Sequence, residues 1–96
     1  MTWEIREHPD FFQDLRKLEK RELEIFARKK RKIKLNPERQ KHLSGGLNCY
    51  REPITRNIRV IYFIEGNTIW LLTIGRHDAA YADYVQRLHN LGSASK

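Results

Sequence analysis

The sequence has one cysteine, three prolines and no long hydrophobic run. A single cysteine excludes an intramolecular disulfide, and no cysteine–histidine cluster has the spacing of a zinc site. No stretch reaches the roughly 20 apolar residues of a membrane span, and the N-terminus lacks the apolar core of a signal peptide. We therefore expect a soluble protein of the reducing cytoplasm, without a metal or a small-molecule cofactor.

Acidic residues are also scarce, with 12 Asp and Glu against 19 Lys and Arg. The formal net charge is +7 and the pI is about 9.9. Such an excess favours polyanionic partners such as nucleic acid, and it also attracts acidic proteins. The 96 residues suffice for one domain and are too few for two. We predict a single domain over residues 1–92 and a frayed tail over 93–96.

Hydrophobic periodicity divides the chain into seven elements. Strict alternation over residues 2–7 predicts a strand, and Pro9 suits the first position of a helix. A second helical pattern covers residues 19–35 and ends at Asn36-Pro37. The later elements are three strands and a closing helix, at residues 49–55, 57–65, 68–74 and 78–91.

Local signals indicate how these elements connect and end. The Gly-Asn pair at residues 66–67 predicts a tight antiparallel hairpin, and residues 37–48 read as a polar loop. The last strand is apolar on both faces and is expected inside the sheet. Pro53 moves its own strand to an edge or marks a bulge. Asp78 is predicted to cap the closing helix, and Gly92 to stop it.

The element order β-α-α-β-β-β-α predicts an α+β fold. A helical hairpin packs on a mainly antiparallel four-stranded sheet, and a short helix closes the chain. The first helix is expected to face the sheet through Phe11, Leu15 and Leu18. The expected apolar face of the second helix consists of Leu23, Phe26, Ala27 and Ile33.

Six short segments carry a resemblance to a known family. They are residues 11–18 (FFQDLRKL), 36–37 (NP), 43–45 (LSG), 49–51 (CYR), 58–62 (IRVIY) and 74–81 (IGRHDAAY). In this order and at these spacings, the chain from Trp3 to about Tyr84 resembles the RelE/ParE superfamily, the toxins of toxin–antitoxin pairs. The resemblance implies the RelE-like microbial ribonuclease fold and a cognate RelB-like antitoxin protein as partner.

The superfamily has two functional branches. RelE-like members resemble ribosome-dependent endoribonucleases, which cut mRNA in the ribosomal A site without metal, by attack of a ribose 2′-oxygen on the adjacent phosphate. ParE-like members inhibit DNA gyrase and lack a ribonuclease site. The first hypothesis is a RelE-like enzyme that inhibits translation. The alternatives are a gyrase inhibitor and a catalytically inactive, toxin-like module that binds nucleic acid.

Arg59 is the first catalytic candidate. The resemblance puts the family's phosphate-binding arginine at this position, and such a charge stabilises the negative charge that builds on the phosphate oxygens. Strand alternation places Arg59 on the face of Ile61 and Phe63, where a charge needs a ligand or a partner. The alternative to a ligand is a salt bridge with Glu52 or Glu65.

The resemblance implies four further catalytic positions. Arg51 falls where RelE-like toxins carry a basic residue near the scissile bond, whereas the family's next lysine falls on Pro53, so the general base stays unassigned. Arg76 and His77 occupy the basic cluster that ends the last strand. Either His77 gives a proton to the leaving 5′-oxygen, or Arg76 stabilises that oxygen by charge. Tyr81 either stacks on a base or belongs to the core.

The second helix carries the strongest charge feature of the sequence. Six of the seven residues from 28 to 34 are basic and none is acidic: Arg28, Lys29, Lys30, Arg31, Lys32 and Lys34. The alternatives are a solvated helix face and a surface for phosphates. We predict that this run, with Lys41, docks on ribosomal RNA, because a bare run of cations does not read base edges.

Overall fold

The computed structural model describes residues 2–39, 41–43 and 48–94. The elements are β1 (Glu4–Glu7), α1 (Phe11–Leu15), α2 (Lys20–Leu35), a 3₁₀ helix (Pro37–Arg39), β2 (Lys41–His42), β3 (Cys49–Pro53), β4 (Ile58–Glu65), β5 (Thr68–Arg76) and α3 (His77–Ala94). The predicted α+β class and the order of the seven larger elements are confirmed. No helix in these described ranges is long and apolar enough to cross a membrane.

The sheet is mixed, with the strand order β1-β5-β4-β3-β2. Only β1 and β5 are parallel, and the other pairs are antiparallel. The interior position predicted for the last strand is confirmed, because β5 lies between β1 and β4. The fifth strand, β2, lies in the segment that we expected to be a loop, and it has only two residues. Pro53 is the last residue of β3, and it lies past the two residues of β3 that pair with β2. The β-bulge is in a different strand, between Ile61 and Tyr62 of β4.

The predicted hairpin between the last two strands is confirmed. The turn joins Glu65 to Thr68, which pair across it. Gly66 has a φ of +62°, a left-handed conformation that glycine adopts without steric cost. The β4–β5 hairpin is the longest ladder of the sheet.

Two apolar clusters cover the two faces of the sheet. On one face, α1 and α2 insert Phe11, Phe26 and Ile33. On the other face, α3 packs Ala80, Tyr84 and Leu91. The first cluster is larger because it collects residues from two helices, so the fold depends most on the packing of the helical hairpin.

The expected apolar face of α2 is partly wrong. Leu23 is 37% exposed and Ala27 is also exposed, whereas Phe26 and Ile33 are buried as predicted. The helix instead turns toward the sheet the side that carries Lys29, whose Nζ lies 3.5 Å from the buried carboxylate of Glu52. Ile25 packs against the same apolar cluster, so the buried face of α2 passes through Ile25, Phe26 and Ile33 rather than through Leu23 and Ala27.

The predicted ends of the closing helix are also wrong. The helix α3 begins at His77, before the expected cap Asp78, and continues through Gly92 to Ala94. A glycine inside a helix costs only about 1 kcal/mol relative to alanine. The buried anchor Leu91, next to Gly92, holds this part of the helix against the sheet. Residues 93 and 94 of the expected frayed tail are therefore helical, and 95–96 lie outside the described residues.

An ion pair closes the edge of β5 beyond the end of β1. There, the Ile74 N–H donates to Asp14 Oδ2 at 3.2 Å, and the Leu72 carbonyl accepts from Arg87 Nη1 at 2.8 Å. The guanidinium of Arg87 also donates to both carboxylate oxygens of Asp14. The two side chains are only 14% and 12% exposed. Asp14 and Arg87 therefore join α1 to α3 around the sheet edge.

His8 should make the stability of the fold depend on pH. The side chain is buried, and its Nδ1 accepts a hydrogen bond from the Asp10 N–H at 3.0 Å. Burial chiefly lowers the pKa of His8 from 6.5; the charges of Asp10 and Asp14 oppose the shift, and that of Arg87 adds to it. A lowered histidine pKa means that the unfolded chain binds the proton more readily than the folded one. The free energy of unfolding should therefore fall as the pH is lowered through 6.5.

Urea unfolding between about pH 7 and pH 5 tests this prediction. The variant His8→Gln should flatten the pH dependence, since it removes the titrating group and keeps an acceptor near the Asp10 amide. The other three histidines of the chain remain in that variant as an internal control. An unchanged slope in His8→Gln would assign the pH dependence to them.

Candidate functional site

Two arginines of adjacent strands share one face of the sheet. In the register of β3 and β4, Arg51 lies opposite Ile61, and Arg59 lies opposite Pro53. Directly opposed residues point to the same side, and alternation carries that side from Ile61 to Arg59. Arg51 and Arg59 are therefore diagonal neighbours, a relation in which Cα atoms are about 7–8 Å apart. The structure brings together these two of the predicted catalytic residues.

Arg59 has an unsatisfied donor. Its side chain is half-buried, and its Nε is fully buried without a hydrogen-bond partner among the described residues. Leaving a buried donor unpaired costs about 1–3 kcal/mol, and more for a charged group. The charge of this half-buried side chain needs a counter-charge, which an anion bound at the guanidinium of Arg59 would supply.

The salt-bridge alternative for Arg59 is wrong for Glu52 and geometrically excluded for Glu65. Glu52 lies opposite Val60 in the register, so it points to the other face of the sheet, toward α2. There its Oε1 contacts Lys29 and Lys32 at 3.5 and 4.0 Å. Glu65 ends β4 six residues beyond Arg59, roughly 20 Å along the strand.

The partner of Arg59 in β5 is a residue without a side chain. This partner is Gly75, and a Cβ built there would meet no atom of the described residues within 4 Å. The two residues that follow Gly75 are Arg76 and the first residue of α3, His77. The strand end that carries the predicted basic cluster is therefore the neighbour of Arg59, with no side chain between them at position 75.

The other members of that cluster are placed differently. Arg76 is exposed and lies opposite Ile58, so its register assigns it to the α1–α2 side, where it lines a cleft of about 330 Å³ with Asp14 and Lys17. The structure thus separates Arg76 from Arg51 and Arg59. His77 and Tyr81 are one turn apart in α3. Their side chains lie outside the described residues.

Lys41 was predicted in a loop, but β2 places it next to Arg51. The two residues are directly paired in the β2–β3 register. Positions 41, 51 and 59 therefore carry basic residues on three adjacent strands, although the side chain of Lys41 lies outside the described part. The sequence did not reveal this alignment, because nothing in residues 37–48 indicates a two-residue strand.

The basic run of α2 is partly neutralised by neighbours. Lys29 and Lys32 contact Glu52, and Lys30 Nζ lies 3.8 Å from Glu7 Oε2. Since Glu52 points away from Arg59, the run and the Arg51–Arg59 pair lie on opposite faces of the sheet. Within the described ranges, three basic residues of the run have no ion-pair partner: Arg28, Arg31 and Lys34.

Solved structures with a similar fold include the toxin RelE, RelE–RelB complexes and YoeB. A free, doubly substituted E. coli toxin RelE is 21% identical, with a TM-score of 0.77 over 91% of this chain and 98% of that chain. The archaeal RelE–RelB complex from Pyrococcus horikoshii is 21% identical, with a TM-score of 0.64 over 79% and 96%. The YoeB dimer from Staphylococcus aureus is 19% identical, with a TM-score of 0.67 over 80% and 99%.

The chain has the RelE-like toxin fold. No protein-family model and no curated protein matches the sequence. The resemblance that the six segments indicate is therefore confirmed at the level of the fold, over nearly the full length of the RelE-like structures. Within this RelE-like fold, the Arg51–Arg59 face next to Gly75 is a cationic site that suits a phosphate group.

Proposed function

We propose that this protein is the toxin of a toxin–antitoxin pair and a ribosome-dependent, metal-free endoribonuclease that cleaves mRNA in the A site and so inhibits translation. One observation carries the proposal. The guanidinium of Arg59 has a buried Nε without an acceptor among the described residues, on a sheet face that it shares with Arg51. A phosphodiester supplies acceptors and negative charge together, which is what this arrangement lacks.

The reaction needs a charge at the phosphate and two proton transfers. As the 2′-oxygen forms its bond to phosphorus, negative charge builds on the non-bridging oxygens, and Arg59 with Arg51 stabilises it. The 2′-hydroxyl gives its proton to water, since no side chain is assigned as the general base, and the bond from phosphorus to the 5′-oxygen breaks. His77, which follows the β5 end next to Arg59, donates the proton that the 5′-oxygen takes up. Tyr81 stacks on a nucleobase, whereas Arg76 lies on the α1–α2 side of the sheet and takes no part in this step.

Two partners complete the proposal. The basic residues of α2, with Lys41, dock on ribosomal RNA in the cytoplasm, through phosphate contacts that weaken as salt rises. A RelB-like antitoxin covers the toxin when translation must continue. Support for this partner comes from the similar fold of the Pyrococcus horikoshii toxin, whose structure is a RelE–RelB complex.

Primer extension tests the proposed activity. Purified protein is added to the same mRNA, once bound to programmed ribosomes and once free in solution. We expect cuts within the A-site codon on ribosomes and none in free RNA. Cleavage of free RNA would contradict the ribosome requirement, and no cleavage in either case would contradict the ribonuclease.

A gyrase supercoiling assay is the companion measurement. If the protein inhibits gyrase at a stoichiometric concentration and does not affect translation, the ParE-like function would replace the proposed one. No effect on gyrase is the result expected from the proposal.

A further inference from the structure

A second basic depression lies between β1 and α2, on the sheet face opposite the Arg51–Arg59 pair. It has a volume of about 500 Å³. Its lining consists of Thr2, Trp3, Glu4, Ile5, Lys30, Arg31 and Lys34. We call it the Trp3 groove.

The groove combines an aromatic side chain with free cations. Trp3 is half-buried and packs against the larger apolar cluster, which holds the indole in place. Arg31 and Lys34 are exposed, and within the described ranges neither has an ion-pair partner. They are three residues apart in α2, so they lie side by side on the helix surface.

The carboxylates at this end of the molecule are already engaged. Glu4 forms an ion pair with Arg6 at 2.9 Å, and Glu7 lies 3.8 Å from Lys30. Neither carboxylate is therefore paired with Arg31 or Lys34, so these two cations can bind an anionic ligand. A planar indole next to two cations favours a nucleotide over a carboxylate peptide, because every base presents a face that stacks on an aromatic ring while its phosphate meets the cations.

We infer that the Trp3 groove binds an unpaired segment of single-stranded RNA, with a base stacked on Trp3 and the adjoining phosphates at Arg31 and Lys34. This site is distinct from the Arg51–Arg59 face. Arg31 and Lys34 belong to the basic run proposed to dock on ribosomal RNA, so this inference rests on that part of the proposed function. Binding in the groove is measured without ribosomes and does not involve Arg59, so its failure can be distinguished from a failure of the ribonuclease.

Binding in the Trp3 groove can be measured selectively by tryptophan fluorescence. The chain has only two tryptophans, Trp3 and Trp70, and Trp70 packs against the apolar cluster of the opposite face. In the variant Trp70→Phe, the emission of Trp3 reports on the groove alone. Titration with a short oligouridylate should quench that emission, and the apparent Kd should rise steeply with salt. In the converse variant Trp3→Phe, the emission of Trp70 should change little.

Two double variants of equal net charge distinguish the effect of contacts in the groove on Kd from the effect of net charge. In the Trp70→Phe background, Arg31→Gln with Lys34→Gln should weaken binding by about tenfold or more, since two phosphate contacts are lost. The matched control, Lys20→Gln with Arg21→Gln, removes the same charge from the exposed start of the same helix and should change Kd by less than about threefold. Equal losses in the two double variants would overturn the site.

Two further outcomes decide the ligand class. Quenching by polyglutamate with an equal or lower Kd would show that the groove takes an acidic protein segment and would overturn the RNA assignment. Absence of quenching by oligouridylate at low salt would do the same. The variant Arg59→Ala should bind oligouridylate in the groove as the parent does.

Discussion

Replacing Arg59 with alanine is expected to lower the rate of mRNA cleavage on programmed ribosomes by about 10²–10³-fold. The loss of one group that stabilises the developing charge of a transition state has effects of this size. The same change should not lower the free energy of unfolding, because it removes a buried donor that has no acceptor among the described residues. Primer extension with matched protein concentrations measures the first quantity, and urea unfolding measures the second.

Arg56 offers the control for this experiment. It is an exposed arginine in the turn before β4, three residues from Arg59. The variant Arg56→Ala has the same net charge as Arg59→Ala and should keep nearly full activity. Full activity in Arg59→Ala would contradict the assignment of the phosphate site, and a marked loss of stability would show that Arg59 has a structural partner.

Replacing Asp14 with alanine should produce the largest loss of stability, about 3 kcal/mol. The change leaves the guanidinium of Arg87 buried without its carboxylate, and breaking a buried pair on one side costs about 3–5 kcal/mol. Burial would lower the pKa of Arg87, but the hydrogen bond and the charge of Asp14 outweigh burial and raise it. The Ile74 N–H loses its acceptor as well.

Asp83 provides a matched comparison for Asp14. Its carboxylate lies 3.9 Å from Arg87 in the i,i+4 relation of α3 and is 55% exposed. An exposed pair of this kind is worth about 0.3–0.5 kcal/mol, so Asp83→Ala should unfold at nearly the parent urea concentration. The double variant Asp14→Leu with Arg87→Met should recover part of the loss, since no charge is then left buried. Similar costs for Asp14→Ala and Asp83→Ala would refute the structural role of the edge ion pair.

Local patterns predict most of this fold. Alternation and helical periodicity identify the larger elements, and the Gly-Asn pair identifies the β4–β5 hairpin, because these signals act between residues close in sequence. The rotation of α2 and the extension of α3 past Gly92 were missed. Both go with contacts across the fold, those of Ile25 with the apolar cluster and of Leu91 with the sheet, and no local propensity encodes them.

The candidate site shows the same difference between local signals, which the sequence reveals, and long-range contacts, which it does not. Alternation correctly places Arg59 on the face of Ile61, and the sheet register adds Arg51 to it. Sequence proximity grouped Arg76 with His77, whereas the register puts Arg76 on the side of Ile58. The Asp14–Arg87 pair joins residues 73 positions apart, and a single sequence gives no signal that would link them.

The parallel pairing of β1 with β5 constrains how the protein acquires its structure. Glu4 pairs with Thr68, which follows it by 64 residues in the chain, so β1 finds its place only after β5 has been made. Closing so long a loop is entropically costly, whereas the β4–β5 hairpin closes locally. We expect the hairpin to nucleate folding and β1 to dock last, so that Ile5→Val accelerates unfolding and leaves the refolding rate nearly unchanged in stopped-flow experiments. A chain still under synthesis therefore cannot complete its sheet before β5 has been made, and the proposed ribonuclease stays unassembled until that point.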